Sequence, residues 1–376
     1  MQMAAGACLP RYLENPMNAY RPVHAPHPAP VVGSAGSPRW TQRPAQSNWG
    51  DFGPDDQLGR LNYLTADKVK EAAREIQTGE RFCLSLPLDK PGGNALNPRR
   101  HPPIIKPSRR PLGPGLNFAL SRENPLYTDV VSDDYAEIYL QYSTQWDALS
   151  HVGSHFDING DGVDELVYYN GFQAGIDILA PDDLPDMGGQ SRAKALGVER
   201  LAEQAIQGRG VLVNLRRHFG DGHTLVSGKM LKEVLQADGI EVTQGDIVAL
   251  YTGFSELLLA CDGPPKPDMP ETVGAVLDGR DPELQQWIID SHITTLVADN
   301  YGIESVPGRP VDGSCAFLPL HELCLFKLGM PFGELWYLHP LAQWLQAHGR
   351  YRFMLTAPAL RLPGAVGSPV TPVATV

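Results

Sequence analysis

One stretch restricts this chain more than any other: Ser143-Thr-Gln-Trp-Asp-Ala-Leu-Ser-His-Val-Gly-Ser-His-Phe-Asp157 sets Asp147, His151, His155 and Asp157 within eleven residues. Imidazole and carboxylate are the ligands that zinc and manganese prefer, and their spacing decides whether one backbone segment can present them to a common point. No other segment concentrates such side chains to this degree. Ala136-Glu-Ile-Tyr-Leu-Gln-Tyr142, immediately before it, reads as a strand that delivers the stretch. Ligands that emerge from a strand end lose little entropy when they meet a metal.

The surroundings read as an α/β protein. Residues 1–47, rich in Pro, Ala, Gly and Ser, predict a flexible or extended arm, and residues 48–376 a single folded domain. Thr65 is a good N-cap for a helix carrying Val69, Ala72, Ala73 and Ile76, with Gly79 as its stop. Arg81 to Leu88 reads as a strand, and residues 90–130 as a long loop. Beyond residue 210 strands and helices alternate. The strands are Val211–Leu215, Ile247–Tyr251, Thr294–Ala298 and Arg352–Thr356; the helices begin after Ser227, near Glu283 and near Leu320. Such alternation implies a core with some parallel strands.

Charge and cysteine usage exclude several function classes. A net charge of −12 leaves no surplus of cations to displace counterions from a phosphate backbone, so nucleic acid is not an expected partner. The basic cluster Asn97-Pro-Arg-Arg-His101, with Lys106 and Arg109-Arg110, reads either as a solvated proline-rich loop or as a lid that attracts an anionic substrate. Five cysteines without a C-x-x-C pair suggest neither a disulfide framework nor a zinc knuckle. With no leader-like start and no apolar run of membrane-spanning length, the expected setting is cytoplasmic, without a membrane partner. Neither a Gly-x-Ser-x-Gly elbow nor a phosphate-binding glycine loop occurs where a strand would meet a helix. Asp157-Ile-Asn-Gly-Asp161 opens like a calcium loop, but Tyr168 stands where the bidentate glutamate belongs; an acidic turn-rich insertion is the simpler reading.

Several blocks in order carry a family resemblance: Gln145-Trp-Asp-Ala-Leu-Ser-His151, Tyr168-Tyr-Asn-Gly171, Leu296-Val-Ala-Asp-Asn300, Pro319-Leu-His321, Gly333-Glu334 and the ending Ala357 to Pro369. From Asn48 onward the chain resembles the putative cyclase family, metal-dependent hydrolases that include bacterial kynurenine formamidase and isatin hydrolase, and specifically its longer bacterial and fungal members. Short members carry His-x-Gly-Thr-His-x-Asp-x-Pro-x-His. In one register Asp147 matches the ligand aspartate, His151 the acid/base, and Gln141 and Gln145 replace the two ligand histidines. In the other, His151, His155 and Asp157 are the ligands and Asp161 takes the place of the last histidine. The first register fits the wording of the longer members better. The resemblance further implies that His321 and Glu334 belong to the metal site.

What the resemblance implies is a compact swivelling β/β/α core with an extended N-terminal arm and long loops, assembled as a homo-oligomer, a dimer or tetramer. It also implies a divalent metal, zinc or manganese, held by Asp147, His321 and Glu334 with Gln145 or Gln141 nearby, and a small-molecule substrate. The expected reaction is hydrolysis of an amide, lactam, lactone or formamide by a metal-activated water, with His151 as acid/base and Trp146, Tyr168 and Tyr169 walling the pocket. The paired glutamines keep an alternative open, a metal-free lyase, cyclase or small-molecule binding protein on the same scaffold.

Overall fold

The computed structural model describes residues 39–184 and 190–376, together with the backbone of Val31–Val32. A curled mixed sheet organises them. Its nine strands are β1 (Arg81–Cys83), β2 (Gln145–Asp147), β3 (Gln207–Asn214), β4 (Ile247–Tyr251), β5 (Thr295–Ala298), β6 (Phe332–Glu334), β7 (Arg352–Thr356), β8 (Gly367–Pro369) and β9 (Val373–Thr375). Their order is β8-β2-β6-β5-β4-β3-β7-β9-β1. Strands β3 to β6 run parallel to their neighbours in that run, whereas β2 pairs antiparallel with both β6 and β8. The mixed α/β architecture expected from the alternation is the one observed.

Parallel strands need both faces covered, which is why Ile247-Val-Ala-Leu-Tyr251 is apolar throughout. On one face Ile247, Ala249, Tyr251 and Val297 pack under helices α2 (Val198–Glu203) and α6 (His339–Ala347) through Val198, Leu201, Leu341 and Leu345. On the other, Val248, Leu250, Leu296 and Phe332 meet α3 (Gly228–Ala237) and α4 (Pro282–Ser291) through Leu231, Val234, Leu284 and Ile288. Burying Leu284 and Ile288 contributes about 1.5–3 kcal/mol each, more than the intrinsic preference of so short a helix supplies.

Side-chain caps fix the helix ends. Thr65 Oγ1 accepts from Lys68 N to start α1 (Ala66–Ala73), Ser227 Oγ accepts from Met230 N at α3, and Asp281 accepts from Leu284 N at α4. The last turn of α4 is closed by a distant residue. Arg60, 3% exposed, donates to the carbonyls of Ile288 at 2.6 Å and Ile289 at 2.9 Å, so a buried cation meets the negative end of the helix.

Several local expectations change. Among them are the strand from Arg81, which ends at Cys83, and the loop of residues 90–130, which carries the short strands Ile104–Pro107 and Phe118–Ala119. Residues 136–142 are not the strand that delivers the central stretch. Asp134–Glu137 instead pairs with Ile104–Pro107 in a peripheral two-stranded ladder, leaving Ile105 and Tyr135 exposed, and the chain turns before entering the sheet at Gln145. Apolar alternation there marks a two-stranded ladder outside the main sheet. The helix after Thr65 stops at Ala73, leaving Ile76 exposed. The Leu320 helix is one turn, Pro319–His321 (α5), continued by a wider π turn over Glu322–Lys327.

Most of the proposed N-terminal arm lies outside the described residues. Within its described part, Trp40 is buried against Trp49 at 6.1 Å between ring centroids, and Arg39 stacks over Phe172, so packing reaches back to residue 39. No helix among the described residues is long and apolar enough to cross a membrane.

Candidate functional site

The site grows out of β2. Successive side chains of a strand alternate, so Gln145 and Asp147 emerge on one face and Trp146 on the other. In register, Gln145 lies opposite Glu334, and Asp147 lies opposite Phe332. Glu334 is therefore a direct cross-strand neighbour of Gln145 and a diagonal neighbour of Asp147. Across the other ladder Asp147 faces Gly367, where a Cβ would come within 2.4 Å of Gln141 Nε2. The missing side chain makes room for Gln141 beside the aspartate.

His321 arrives from the opposite side, on α5, and its orientation is set by Glu304. That carboxylate accepts from Leu320 N at 2.9 Å, from His321 N at 3.0 Å and from His321 Nδ1 at 2.8 Å, and it is 1% exposed. One group thus satisfies amides at the start of the helix and fixes the ring, leaving Nε2 pointing at Glu334 Oε1, 3.2 Å away. The edge of Phe332 supports the ring, with centroids 4.9 Å apart.

Asp147, His321 and Glu334 each offer one ligand atom, and these atoms lie within 4.8 Å of one another. All three residues are buried. Gln145 Nε2 donates to Asp147 Oδ1 at 3.2 Å and Glu334 Oε2 at 3.4 Å. Asp147 Oδ2 and Gln145 Oε1 are buried with no hydrogen-bond partner. An acceptor left so costs about 1–3 kcal/mol, so the centre is built short of positive charge. A divalent cation fits that deficit, and two carboxylates, one imidazole and an amide oxygen are a donor set that zinc or manganese accepts.

The electrostatics point the same way. Burial, and then the neighbouring Glu334 charge, push Asp147 up to about 7. Burial opposes the charge on His321 too, but its bonds to Glu304 and Glu334 prevail and raise it to about 10. Glu334 is held below the usual carboxylate range, the His321 bond overcoming the effect of burial. The group therefore shares protons where a cation could stand.

His151 lies at the rim. Its Nε2 is 3.8 Å from Asp147 Oδ1, and its side chain keeps one-fifth of its surface open, 20%. Burial and the His321 charge lower its pKa below the ordinary imidazole range. The residue thus stands between the buried carboxylates and water.

The other sequence candidates scatter. His155 is exposed on the hairpin strand Ser154–Phe156, and the Asp157 carboxylate accepts from the amides of Gly160, Asp161 and Gly162, so neither joins His151 in a second ligand set. Those amide bonds also order the Asp157–Asp161 loop internally. Among the described residues Asp147, His321 and Glu334 are the only such group of three potential ligands. Trp146 does not wall the pocket: it is fully buried on the opposite face, edge-on to Trp336 at 5.1 Å, with its indole donating to Ala357 O. Tyr169 is likewise core, its hydroxyl donating to Asp56 Oδ2. Tyr168 stays partly open beside Gly153, two residues from His151.

Sequence reasoning passed over Glu304. It is a lone acid between Gly302 and Pro307 with no motif around it, and only the fold brings it to His321.

The model of the family described as putative cyclase matches residues 83–305. A solved structure described as a novel cyclase is 31% identical to the chain, with a TM-score of 0.67 over 88% of this chain and 97% of that one. Isatin hydrolase A from Labrenzia aggregata, bound to benzyl benzoate, is 13% identical at a TM-score of 0.50, over 84% of this chain and 98% of that one, a likeness of fold alone. No match was found among curated proteins. With a family match over more than half of its length and a relative of that identity covering nearly all of it, the chain belongs to the putative cyclase family.

Proposed function

We propose that the chain is a metal-dependent hydrolase that cleaves an acyl carbon–nitrogen or carbon–oxygen bond in an amide, lactam, lactone or formamide. The observation that carries this reading is the buried convergence of Asp147, His321 and Glu334, with Asp147 Oδ2 and Gln145 Oε1 lacking any donor. These residues would hold a divalent cation, zinc or manganese, with Gln145 turning its amide oxygen inward. The cation supplies Lewis acidity, which polarises a scissile carbonyl and makes water more acidic.

The protein's own residues do the rest. Glu304 keeps the His321 ring in one orientation by holding Nδ1. His151, open to solvent on one side and next to Asp147 on the other, takes a proton from the attacking water and gives it to the departing nitrogen or oxygen. Tyr168, partly open near the same turn, offers a ring face to the substrate.

One observation favours a second reading, a metal-free lyase, cyclase or binding protein: Gln145 Nε2 already links Asp147 and Glu334 without an ion. Elemental analysis of the purified protein separates the two. About one equivalent of zinc or manganese in the wild type, lost in Asp147→Ala and His321→Ala, is expected. His151→Ala should keep the metal and lose about 10²- to 10⁴-fold in turnover of formamides, lactones or lactams. A wild type that stays free of transition metal after reconstitution supports the second reading.

A further inference from the structure

The loop that precedes the central stretch brings one cation to the site without neutralising it. The loop is pinned at two points: Tyr142 Oη accepts from Gly92 N at 3.0 Å and donates to Gly93 O at 2.7 Å, and Asn97 Nδ2 donates to Tyr301 Oη at 3.0 Å. Arg100, at the loop's end, donates from Nη1 to Gln141 O at 2.6 Å. Gln141 is the residue that Gly367 accommodates beside Asp147. Leu96, Asn97, Arg100, Tyr142 and Tyr301 line a small cleft there.

Arg100 is half-buried, and among the described residues no carboxylate lies within ion-pair distance of it. Three other arginines of this acidic chain are neutralised by carboxylates, whereas Arg60 and Arg280 spend their guanidinium on several backbone carbonyls. Arg209 pairs with Asp246 and Glu71, Arg216 with Asp221 and Glu256, and Arg110 with Glu123 and Asp133. The place of Arg100 at the site's edge rests on the Gln141 bond and on Tyr301, which shares the cleft, and against the effect of burial its charge lowers the pKa of Asp147 and Glu334. A guanidinium with one backbone bond keeps most of its fork free for a planar anion.

We propose that Arg100 recognises a carboxylate on the substrate, and that the site takes an acyl compound bearing a carboxylate close to its scissile bond. The inference rests on the hydrolase reading for the nature of that bond. Of the two readings of the basic cluster, it takes the lid that attracts an anion, and it assigns the role to Arg100.

Two matched pairs test it: 2-formamidobenzoate against formanilide, and a γ-lactone with and without a ring carboxylate. Binding is read by calorimetry for compounds that are not turned over, and KM and kcat separately for those that are. In the wild type the anionic member of each pair should bind, or show a lower KM, by about tenfold or more, the scale of a charge-assisted bond. The ratio should collapse towards one in Arg100→Gln and be partly restored in Arg100→Lys, with metal content the same in all three. A merely structural role for the Gln141 contact would not move this ratio.

No preference in the wild type, a preference that survives in Arg100→Gln, or no measurable binding of either anionic member overturns the proposal. Preference that follows Arg100 without hydrolysis of any compound sinks the hydrolase reading and leaves the anion subsite standing. Hydrolysis without preference does the reverse.

Discussion

Two buried clusters in this protein use nearly the same chemical groups to opposite ends. Around Asp246, fully buried, both carboxylate oxygens are met: Arg209 Nε donates at 2.8 Å and Nη2 at 2.9 Å, Thr243 N at 2.8 Å, and Lys68 Nζ stands 3.3 Å away. Around Asp147, 1% exposed, one oxygen has a weak amide donor and the other has none. The first cluster joins α1 to β3 and the segment before β4, and its charges balance locally. The second leaves a buried deficit of positive charge. Polar burial that closes on itself holds a fold together, and polar burial left open marks a place for a ligand.

The contrast is most exposed to test in stability. Asp246→Ala leaves the buried Arg209 with only the partly exposed Glu71 as an anionic partner and should cost about 3–5 kcal/mol. Asp147→Asn should cost the metal-free protein nothing, because it keeps the acceptor for Gln145 and relieves the repulsion from Glu334. Urea unfolding of both variants beside the wild type, in the presence of a chelator, measures the difference. Equal losses would mean that the two clusters are the same kind of structure.

Glu304 sharpens the comparison from within the site, because it is the one carboxylate there whose bonds resemble those of Asp246. Glu304→Gln weakens its hold on His321 Nδ1 and on the start of α5, so divalent-ion affinity should fall about 10- to 100-fold while a metal-binding stoichiometry of one persists. Titration of the chelator-treated protein with zinc or manganese reads this. Unchanged affinity in a folded variant would show that the ring needs no such anchor.

How much of this was legible in the sequence follows from distance along the chain. The parallel strands β3, β4 and β5 were readable because strands buried on both faces are continuously apolar, as Ile247–Tyr251 is. The three-residue strands β6, β8 and β9 carry too short a pattern to be read. Asp147, His321 and Glu334 were reachable through the ordered blocks around them, not through any local rule, since 174 residues separate the first two. Residues 136–142 misled because alternation reports a half-buried strand without saying which sheet it joins. Trp146 misled for a related reason. Its neighbours Gln145 and Asp147 face the site, so period two had already assigned it to the opposite face. Glu304 and the free fork of Arg100 had no signal beyond a lone acid and a basic run, because their partners meet them only in the folded chain.

The smallest effect concerns the rim of the closed cluster, where Glu71 joins Lys68 to Arg209. The hydrogen bond from Lys68, aided by the Arg209 charge, outweighs burial and holds Glu71 below its ordinary value of 4.5. A carboxylate with a depressed folded-state pKa contributes stability that is fully present above the unfolded pKa and lost as the pH falls through the folded one. Glu71→Gln should therefore be less stable than the wild type near neutral pH, by about 0.5 kcal/mol because the side chain is partly exposed and screened. The gap should start to close once the pH drops below 4.5. Unfolding free energies of both proteins from about pH 7 to about pH 4 follow it. A gap that widens on acidification would reverse the sign of the linkage and remove Glu71 from the set of groups that close the cluster; a constant gap would show that its contribution is packing and not charge.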